Sequence, residues 1–112
     1  SSLCQRLEIP YVPQTAIICD DHYVGPGYAQ SSPDMVHAVE LLAKEEGILL
    51  DPVYSGKAFA GLIGLIKSQI FKSHHNILFV HTGGSPTLYA YPHLFENNQL
   101  VPKSIHYDHA QC

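Results

Sequence analysis

Residues 32–47 carry the clearest periodic pattern in the chain. Met35 and Val39 recur at helical spacing among other apolar positions of this stretch. Ser32 stands directly before a proline, an order typical of a helix start, and Gly47 is typical of the left-handed residue just past a helix end. The pattern therefore predicts a helix that begins after Ser32 and ends before Gly47.

A second helix is predicted to follow Ser55. Ser55 is its expected N-cap, and residues 56–71 are almost all apolar on one face. Small residues, among them Gly56 and Gly64, would let neighbouring elements approach closely. We therefore expect this helix to be buried on most sides.

Three short apolar stretches have the composition of strands. Residues 11–19 are rich in β-branched side chains. Residues 48–54 are apolar, and Pro52 disfavours a helical conformation just before it, so an extended backbone is expected. Residues 76–82 form the continuous apolar run that is typical of a buried parallel strand. A third helix should follow the last of them, with Ser85 as its N-cap and Pro86 in its first position.

Alternating helices and buried strands joined by short turns are typical of α/β proteins with a parallel-sheet core and packed helices. We expect one such segment over residues 1–112. It would comprise a strand and loop in residues 1–31, a helix-strand core in residues 32–95, and a tail without periodicity in residues 96–112.

Polar or glycine-rich residues mark two strand-to-helix turns. We call residues 52–55, PVYS, the first corner and residues 81–84, HTGG, the second corner. Ligands of open α/β sheets bind beyond the carboxyl ends of strands, where both corners are expected. A shared ligand is one interpretation. The other is that Ser55 merely caps a helix and that the glycines merely form a turn.

Composition excludes several classes of partner. Only 14% of the 112 residues are charged, 46% are hydrophobic, and the net charge is −4. No basic stripe for nucleic acid is present, and no apolar run reaches the roughly 20 residues of a membrane span. So little charge predicts that part of the surface faces other protein.

Cysteine and histidine spacing gives no metal or disulfide framework. The three cysteines form no C-x-x-C pair, which favours a reducing compartment, the cytoplasm, or the mitochondrion if a transit segment precedes the chain. His106 and His109 form H-x-x-H in the tail, but no cysteine or carboxylate stands at zinc spacing from them. We therefore expect no metal site.

Three blocks of the sequence carry a family resemblance. "YVGPGYA", "EGILLDPVYSGKAFAGLI" and "ILFVHTGGSPTLYAY" resemble, in this order, the C-terminal part of the D-cysteine desulfhydrase and 1-aminocyclopropane-1-carboxylate deaminase family. Its members are pyridoxal-phosphate enzymes of the tryptophan-synthase-β fold type, fold type II. The resemblance implies the cofactor pyridoxal 5'-phosphate and a small amino-acid substrate.

The resemblance also implies roles for residues at both corners. Tyr54 and Tyr28 would flank the substrate side of the pyridoxal ring as the catalytic candidates. Ser55, Thr82 and Gly83 would lie near the edge of the ring that carries the pyridine nitrogen. The two corners would then hold one edge of a flat aromatic cofactor.

Two hydroxyl positions indicate which reaction of the family to expect. Deaminases of the family tend to have Glu at position 55 and Leu at position 82, whereas desulfhydrase-like members have Ser or Thr, as here. The resemblance thus implies a carbon-sulfur lyase that converts D-cysteine to pyruvate, ammonia and hydrogen sulfide. The alternatives are a deaminase and a non-catalytic remnant that acts as an interaction module. Ala29 departs from the glycine usual in the family, which puts the aim of the Tyr28 loop in doubt.

The family's Schiff-base lysine lies in an N-terminal part that has no counterpart here. Lys57 is the only lysine near a corner, and its position in the first turn of a helix predicts a structural surface residue. The chain begins without methionine, so we expect a fragment whose first partner is the rest of the enzyme chain. A homodimer is the expected assembly.

Overall fold

The computed structural model describes residues 5–95, so the tail predicted over 96–112 lies outside the described residues. Two α-helices dominate this part: α1, Pro33–Glu46, and α2, Ser55–Lys67. Three short 3-10 helices accompany them, at Gln14–Ala16, Ser85–Ala90 and Pro92–Leu94. Within residues 5–95, neither helix has the length and apolar character needed to cross a membrane.

Helix α1 has the ends predicted from the sequence. The Ser32 hydroxyl accepts a hydrogen bond from the Met35 N–H at 3.3 Å and caps the first turn. Gly47 adopts the left-handed conformation with φ of 68°, and its N–H donates to the Ala43 carbonyl. Local signals were sufficient here because both end residues act within their own turn.

Helix α2 starts one residue earlier than predicted and ends sooner. Ser55 is its first residue rather than its N-cap, a position that Tyr54 occupies. The helix stops at Lys67, although the apolar run continues to residue 71, because Gln69 adopts a left-handed φ of 63° that no α-helix can continue through. Both differences concern end residues, and the helix itself was correctly predicted.

The core lies where α1 meets the segments on either side of α2. Met35, Val39, Leu50 and Phe95 are the fully buried hydrophobic cluster. Phe59 of α2 packs edge-on against Phe79, with ring centroids 5.2 Å apart. This core holds Leu50, two residues before the first corner, against helix α1.

Glycine permits the closest contact between the two helices. A Cβ on Gly56 would lie 2.6 Å from the Asp51 carbonyl oxygen and 2.8 Å from Cγ2 of Val39, which no side chain could tolerate. A Cβ on Gly61 would lie 3.2 Å from the Tyr23 ring, and one on Gly64 would overlap the end of that ring. Helix α2 nevertheless buries one face only, and the prediction of burial on most sides is wrong for the part of the chain described, where Ile66 is exposed.

No strand forms between residues 5 and 95. Residues 11–19 contain a 3-10 turn instead, because the Ala16 N–H donates to the carbonyl of Pro13, whose ring fixes φ at −68°. Residues 48–50 and 76–82 belong to no regular element. A strand needs a neighbouring backbone for its hydrogen bonds, so these stretches alone cannot display a sheet. The parallel sheet stays a prediction.

The third predicted helix is a 3-10 helix of six residues, Ser85–Ala90. Its N-cap is Gly84 rather than Ser85, and its last turn closes by a bond from the Tyr91 N–H to the Leu88 carbonyl. Pro92 follows directly, and a residue before proline avoids the α conformation. The proline therefore leaves too few residues for a stable α-helix.

Candidate functional site

A buried carboxylate organises the first corner. Asp51 is completely buried, and its side chain accepts hydrogen bonds from the N–H groups of Val53, Tyr54 and Ser55 at 2.7 to 2.8 Å. These are donors that the start of helix α2 would otherwise leave unpaired. Sequence reasoning missed Asp51, although an aspartate shortly before a predicted helix is a standard capping signal.

Ser55 is tied to the same carboxylate. Its hydroxyl donates to Oδ1 of Asp51 at 2.5 Å and accepts from the Asp51 N–H at 2.8 Å. The only hydrogen of the hydroxyl is therefore already used, and Ser55 is buried. Ser55 can accept one more hydrogen bond but has none left to donate.

Two opposing effects act on the pKa of Asp51. Burial alone would raise the pKa of this carboxyl, because it disfavours the charged form. The hydrogen bonds from Ser55 and from the N–H groups of Tyr54 and Val53 favour the charged form and together lower the pKa below its usual range. Asp51 is thus a buried anion stabilised by its own corner.

The second corner is anchored to the backbone of Leu49, which lies shortly before the first corner. His81 Nε2 and the Ser85 hydroxyl both lie 2.9 Å from the Leu49 carbonyl oxygen. The Gly83 N–H donates to His81 Nδ1 at 3.0 Å, so the ring proton resides on Nε2 and points at Leu49. Gly84 completes the junction, since a Cβ there would lie 3.0 Å from the Asp51 carboxyl carbon. The structure thus brings the two corners together.

Thr82 and Gly83 remain open at this junction. Both are exposed, and within residues 5–95 the Thr82 hydroxyl has no hydrogen-bond partner. A Cβ on Gly83 would meet nothing within 4 Å, so there is space in front of its backbone. Unlike Ser55, Thr82 still has a hydrogen to donate.

The two candidate tyrosines contact each other. The hydroxyls of Tyr28 and Tyr54 are 2.7 Å apart, although the residues are 26 positions apart in the chain. Together with Asp20 and Lys57 they line an open cleft of about 390 Å³, which Thr82 and Gly83 do not line. The hydrogen bond with Tyr28 raises the pKa of Tyr54, because it holds the phenol proton in place.

Lys57 corrects the prediction of a surface lysine. Only 8% of the residue is exposed. Its ammonium donates to the carbonyl oxygens of Val24 and Gly27 at 2.6 and 2.8 Å. Lysine is rarely this buried, so nothing in the sequence alone pointed to these contacts.

A small group of titratable side chains lies away from both corners. Asp20, Asp21 and His22 could approach one ion together, but all three are exposed. His22 Nδ1 already contacts Asp20 Oδ1 at 2.7 Å, and this hydrogen bond raises the pKa of His22. The group is accounted for by that exposed pair.

Comparison with known proteins identifies the family. The sequence pattern of the pyridoxal-phosphate dependent enzymes matches residues 1–83. The chain belongs to this family. D-cysteine desulfhydrase of Klebsiella pneumoniae subsp. pneumoniae is 60% identical over 79 residues, which are 70% of this chain and 24% of that protein. The family expected from the three sequence blocks is confirmed, and the chain spans about a quarter of this relative's length.

The described residues of this pyridoxal-phosphate family member leave polar groups free that a bound cofactor could contact. Enzymes of the family have fold type II and use pyridoxal phosphate. Thr82 offers a free hydroxyl donor, the open space at Gly83 admits a flat group, and the hydroxyls of Tyr28 and Tyr54 are exposed. Lys57 does not fit a covalent role, because its ammonium is enclosed by two carbonyls.

We predict that Asp51→Asn lowers the free energy of unfolding by about 1–3 kcal/mol at neutral pH, since a charged acceptor of several hydrogen bonds is lost. A carboxyl with a lowered folded-state pKa stabilises above its ordinary value of 3.8, and this stabilisation is lost as the pH falls through the folded pKa. Urea unfolding from neutral pH to below 3.8 should show that the acid-induced loss is smaller in the variant.

The control for Asp51 is Asp34→Asn, at an exposed carboxylate in the first turn of α1. This variant should keep the acid dependence of the unsubstituted protein. Parallel curves for the unsubstituted protein and Asp51→Asn would show that Asp51 contributes nothing to acid unfolding.

We further predict that the 112-residue chain forms no stoichiometric covalent adduct with pyridoxal phosphate at Lys57. Its nitrogen is buried and already donates hydrogen bonds to two carbonyls, which leaves little room for an aldehyde to approach. Borohydride reduction followed by peptide mass spectrometry measures this directly. Exposed Lys67 serves as the internal comparison, and stoichiometric labelling of Lys57 in preference to Lys67 would contradict the prediction.

Proposed function

We propose that this chain forms part of a pyridoxal-phosphate-dependent carbon-sulfur lyase that acts on D-cysteine. The reaction consumes one water and yields pyruvate, ammonia and hydrogen sulfide. The observation that carries the proposal is the 60% identity over 79 residues to a D-cysteine desulfhydrase. On this proposal the 112 residues supply the C-terminal side of the site, and the rest of the enzyme chain supplies the lysine that binds the cofactor.

Tyr54 and Tyr28 are the proposed proton-handling pair. Two hydroxyls bring two hydrogens, and one of these is used in the bond between them at 2.7 Å. The other remains for a substrate atom. The hydrogen bond that raises the pKa of Tyr54 holds the Tyr54 proton, so the Tyr28 hydroxyl has the hydrogen that is free to donate. The pair would protonate the leaving sulfur or bind the substrate carboxylate.

Thr82 and Ser55 are proposed to have different roles at the edge of the pyridoxal ring that carries the pyridine nitrogen. Bound pyridoxal phosphate withdraws electrons from the substrate α-carbon. Thr82, with its free hydrogen, is the candidate donor to the ring nitrogen, while Ser55 is committed to Asp51. A hydroxyl donor does not keep the nitrogen protonated as a carboxylate would. A modest withdrawal of electrons suffices when the leaving group is a thiolate, which departs with its own electron pair.

The exposed apolar surface is proposed to contact the remainder of the enzyme. Ile18 and Leu78 are 91% and 88% exposed, an unfavourable state for large apolar side chains in water. Leu78 lies in residues 76–82, the stretch predicted as a buried strand. The proposal is that this stretch enters a parallel sheet whose other strands come from the rest of the chain. A homodimer remains part of the proposal.

Product analysis tests the proposed reaction. The intact enzyme, purified with its cofactor, should release sulfide and pyruvate from D-cysteine in equal amounts. It should form little 2-oxobutanoate from 1-aminocyclopropane-1-carboxylate, because a carbon leaving group needs a stronger electron sink. Cofactor occupancy is measured by absorbance in both assays. Ring opening as fast as sulfide release would replace the desulfhydrase assignment with the deaminase one.

Tyr54→Phe tests the tyrosine pair. The substitution removes one hydroxyl, so turnover of D-cysteine should fall by about 10²-fold or more while cofactor content stays unchanged. The matched control is Tyr89→Phe, since Tyr89 is 73% exposed and lies outside both corners. Equal turnover in Tyr54→Phe and Tyr89→Phe would reduce Tyr54 to a packing residue.

A further inference from the structure

Lys57 joins helix α2 to the loop that carries Val24 and Gly27. Its ammonium donates hydrogen bonds to the carbonyl oxygens of both loop residues, which belong to a segment without regular structure. Hydrogen bonds from a charged donor are roughly twice as strong as those between neutral groups. One side chain therefore joins the loop to the first turn of α2 at two points.

The start of α2 also contacts Tyr28, at the end of the same loop. Gly27 directly precedes Tyr28, whose hydroxyl contacts that of Tyr54 at 2.7 Å. Tyr54 is the N-cap of α2, and Lys57 is the third residue of the helix. Lys57 thus contacts the backbone just before Tyr28, and Tyr54, three positions earlier in the chain, contacts the hydroxyl of Tyr28.

The loop needs this restraint because its backbone is strained beyond Tyr28. Ala29 has a φ of 57°, a left-handed conformation that L-residues with a Cβ adopt at a cost. Such residues persist only where the surroundings determine the conformation. On the far side of Tyr28 the described restraints are a hydrogen bond from the Tyr91 hydroxyl to the Ala29 carbonyl, at 3.4 Å, and one from the Gln30 N–H to the Gly27 carbonyl, at 3.3 Å. The stronger restraint is Lys57.

The charge of Lys57 has no carboxylate partner in the described part of the chain. Within residues 5–95 no carboxylate oxygen lies within 4.0 Å of the Lys57 nitrogen. The ammonium is therefore compensated by carbonyl oxygens of the loop alone. A buried cation without such acceptors is costly, so helix and loop hold each other in place.

We propose that Lys57 is a positioning residue, which fixes loop residues 24–27 so that the Tyr28 hydroxyl meets that of Tyr54. The effect of Lys57 on turnover rests on the proposed function, in which the two tyrosines act on the substrate. The effect of Lys57 on the contact between the tyrosines is independent of the proposed function. The two statements can be tested separately on the same variants.

The decisive variant is Lys57→Met in the intact enzyme, with Tyr54 titrated by NMR of tyrosine labelled at the ring Cζ and assigned with Tyr54→Phe. Losing the hydrogen bond to Tyr28, which holds the Tyr54 phenol proton, should lower the pKa of Tyr54, as Tyr28→Phe should do directly. Removing a nearby positive charge alone would raise it instead. The direction of the shift therefore separates positioning from simple electrostatics, with the charge of Asp51 unchanged throughout.

A double variant tests whether Lys57 affects Tyr54 through Tyr28. If Lys57 acts through Tyr28, then Lys57→Met combined with Tyr28→Phe should not lower the pKa of Tyr54 below that of Tyr28→Phe alone. Lys67→Met, which removes an exposed lysine from the same helix, should leave the titration unchanged. An unchanged or raised pKa of Tyr54 in Lys57→Met would overturn the proposal.

Folding and turnover are measured on the same proteins. Should Lys57→Met fail to fold by circular dichroism, Lys57→Gln keeps a neutral donor and should give a smaller shift in the same direction. An unshifted titration in Lys57→Gln would then count against the proposal. Sulfide release by a folded Lys57 variant should fall as far as in Tyr28→Phe. A shifted titration with full turnover would support the positioning role and reject the catalytic role of the tyrosines.

Discussion

The carboxylate of Asp51 is the interaction on which the described structure depends. A buried anion is stable only when donors surround it, and here three backbone N–H groups and the Ser55 hydroxyl do so. Those donors exist only if the chain turns sharply after Asp51 and begins a helix at once. The same carboxylate lies close to Gly84, where a Cβ would be 3.0 Å from its carboxyl carbon. Asp51 therefore sets the start of α2 and packs against the second corner, which is anchored to the Leu49 carbonyl.

Two buried charges of opposite sign flank the start of α2 without pairing. Asp51 is satisfied by N–H groups and Lys57 by carbonyl groups, so each charge orders a different piece of backbone. Thr82 and the two tyrosines, which carry neutral hydroxyls, are exposed. Charged residues thus build the framework, and neutral hydroxyls are presented at the surface, where a ligand can reach them.

Local signals predicted what depends on local contacts. Helix α1 was predicted to the residue because Ser32 and Gly47 act on their own turns. The start of α2 was misassigned because Ser55 bonds back to Asp51 instead of capping the helix that follows. No strand forms within residues 5–95, since a strand needs a neighbouring backbone for its hydrogen bonds and none lies beside the predicted stretches.

The candidate site was predictable from sequence only through the family resemblance. Tyr28 and Tyr54 contact each other across 26 positions, a distance that no periodic pattern reaches. Lys57 was misjudged because lysine is usually exposed, and its burial follows from loop carbonyls that have no signature in the sequence.

The N-terminal end of helix α2 has a consequence for the phosphate of the cofactor. A helix presents a partial positive charge at this end and commonly binds phosphate there through free N–H groups. In this chain Asp51 supplies the negative charge itself and occupies the N–H group of Ser55, the first residue of α2. An incoming phosphate would meet an anion already in place. The macrodipole of α2 therefore stabilises the protein's own carboxylate and does not favour a phosphate at this helix end.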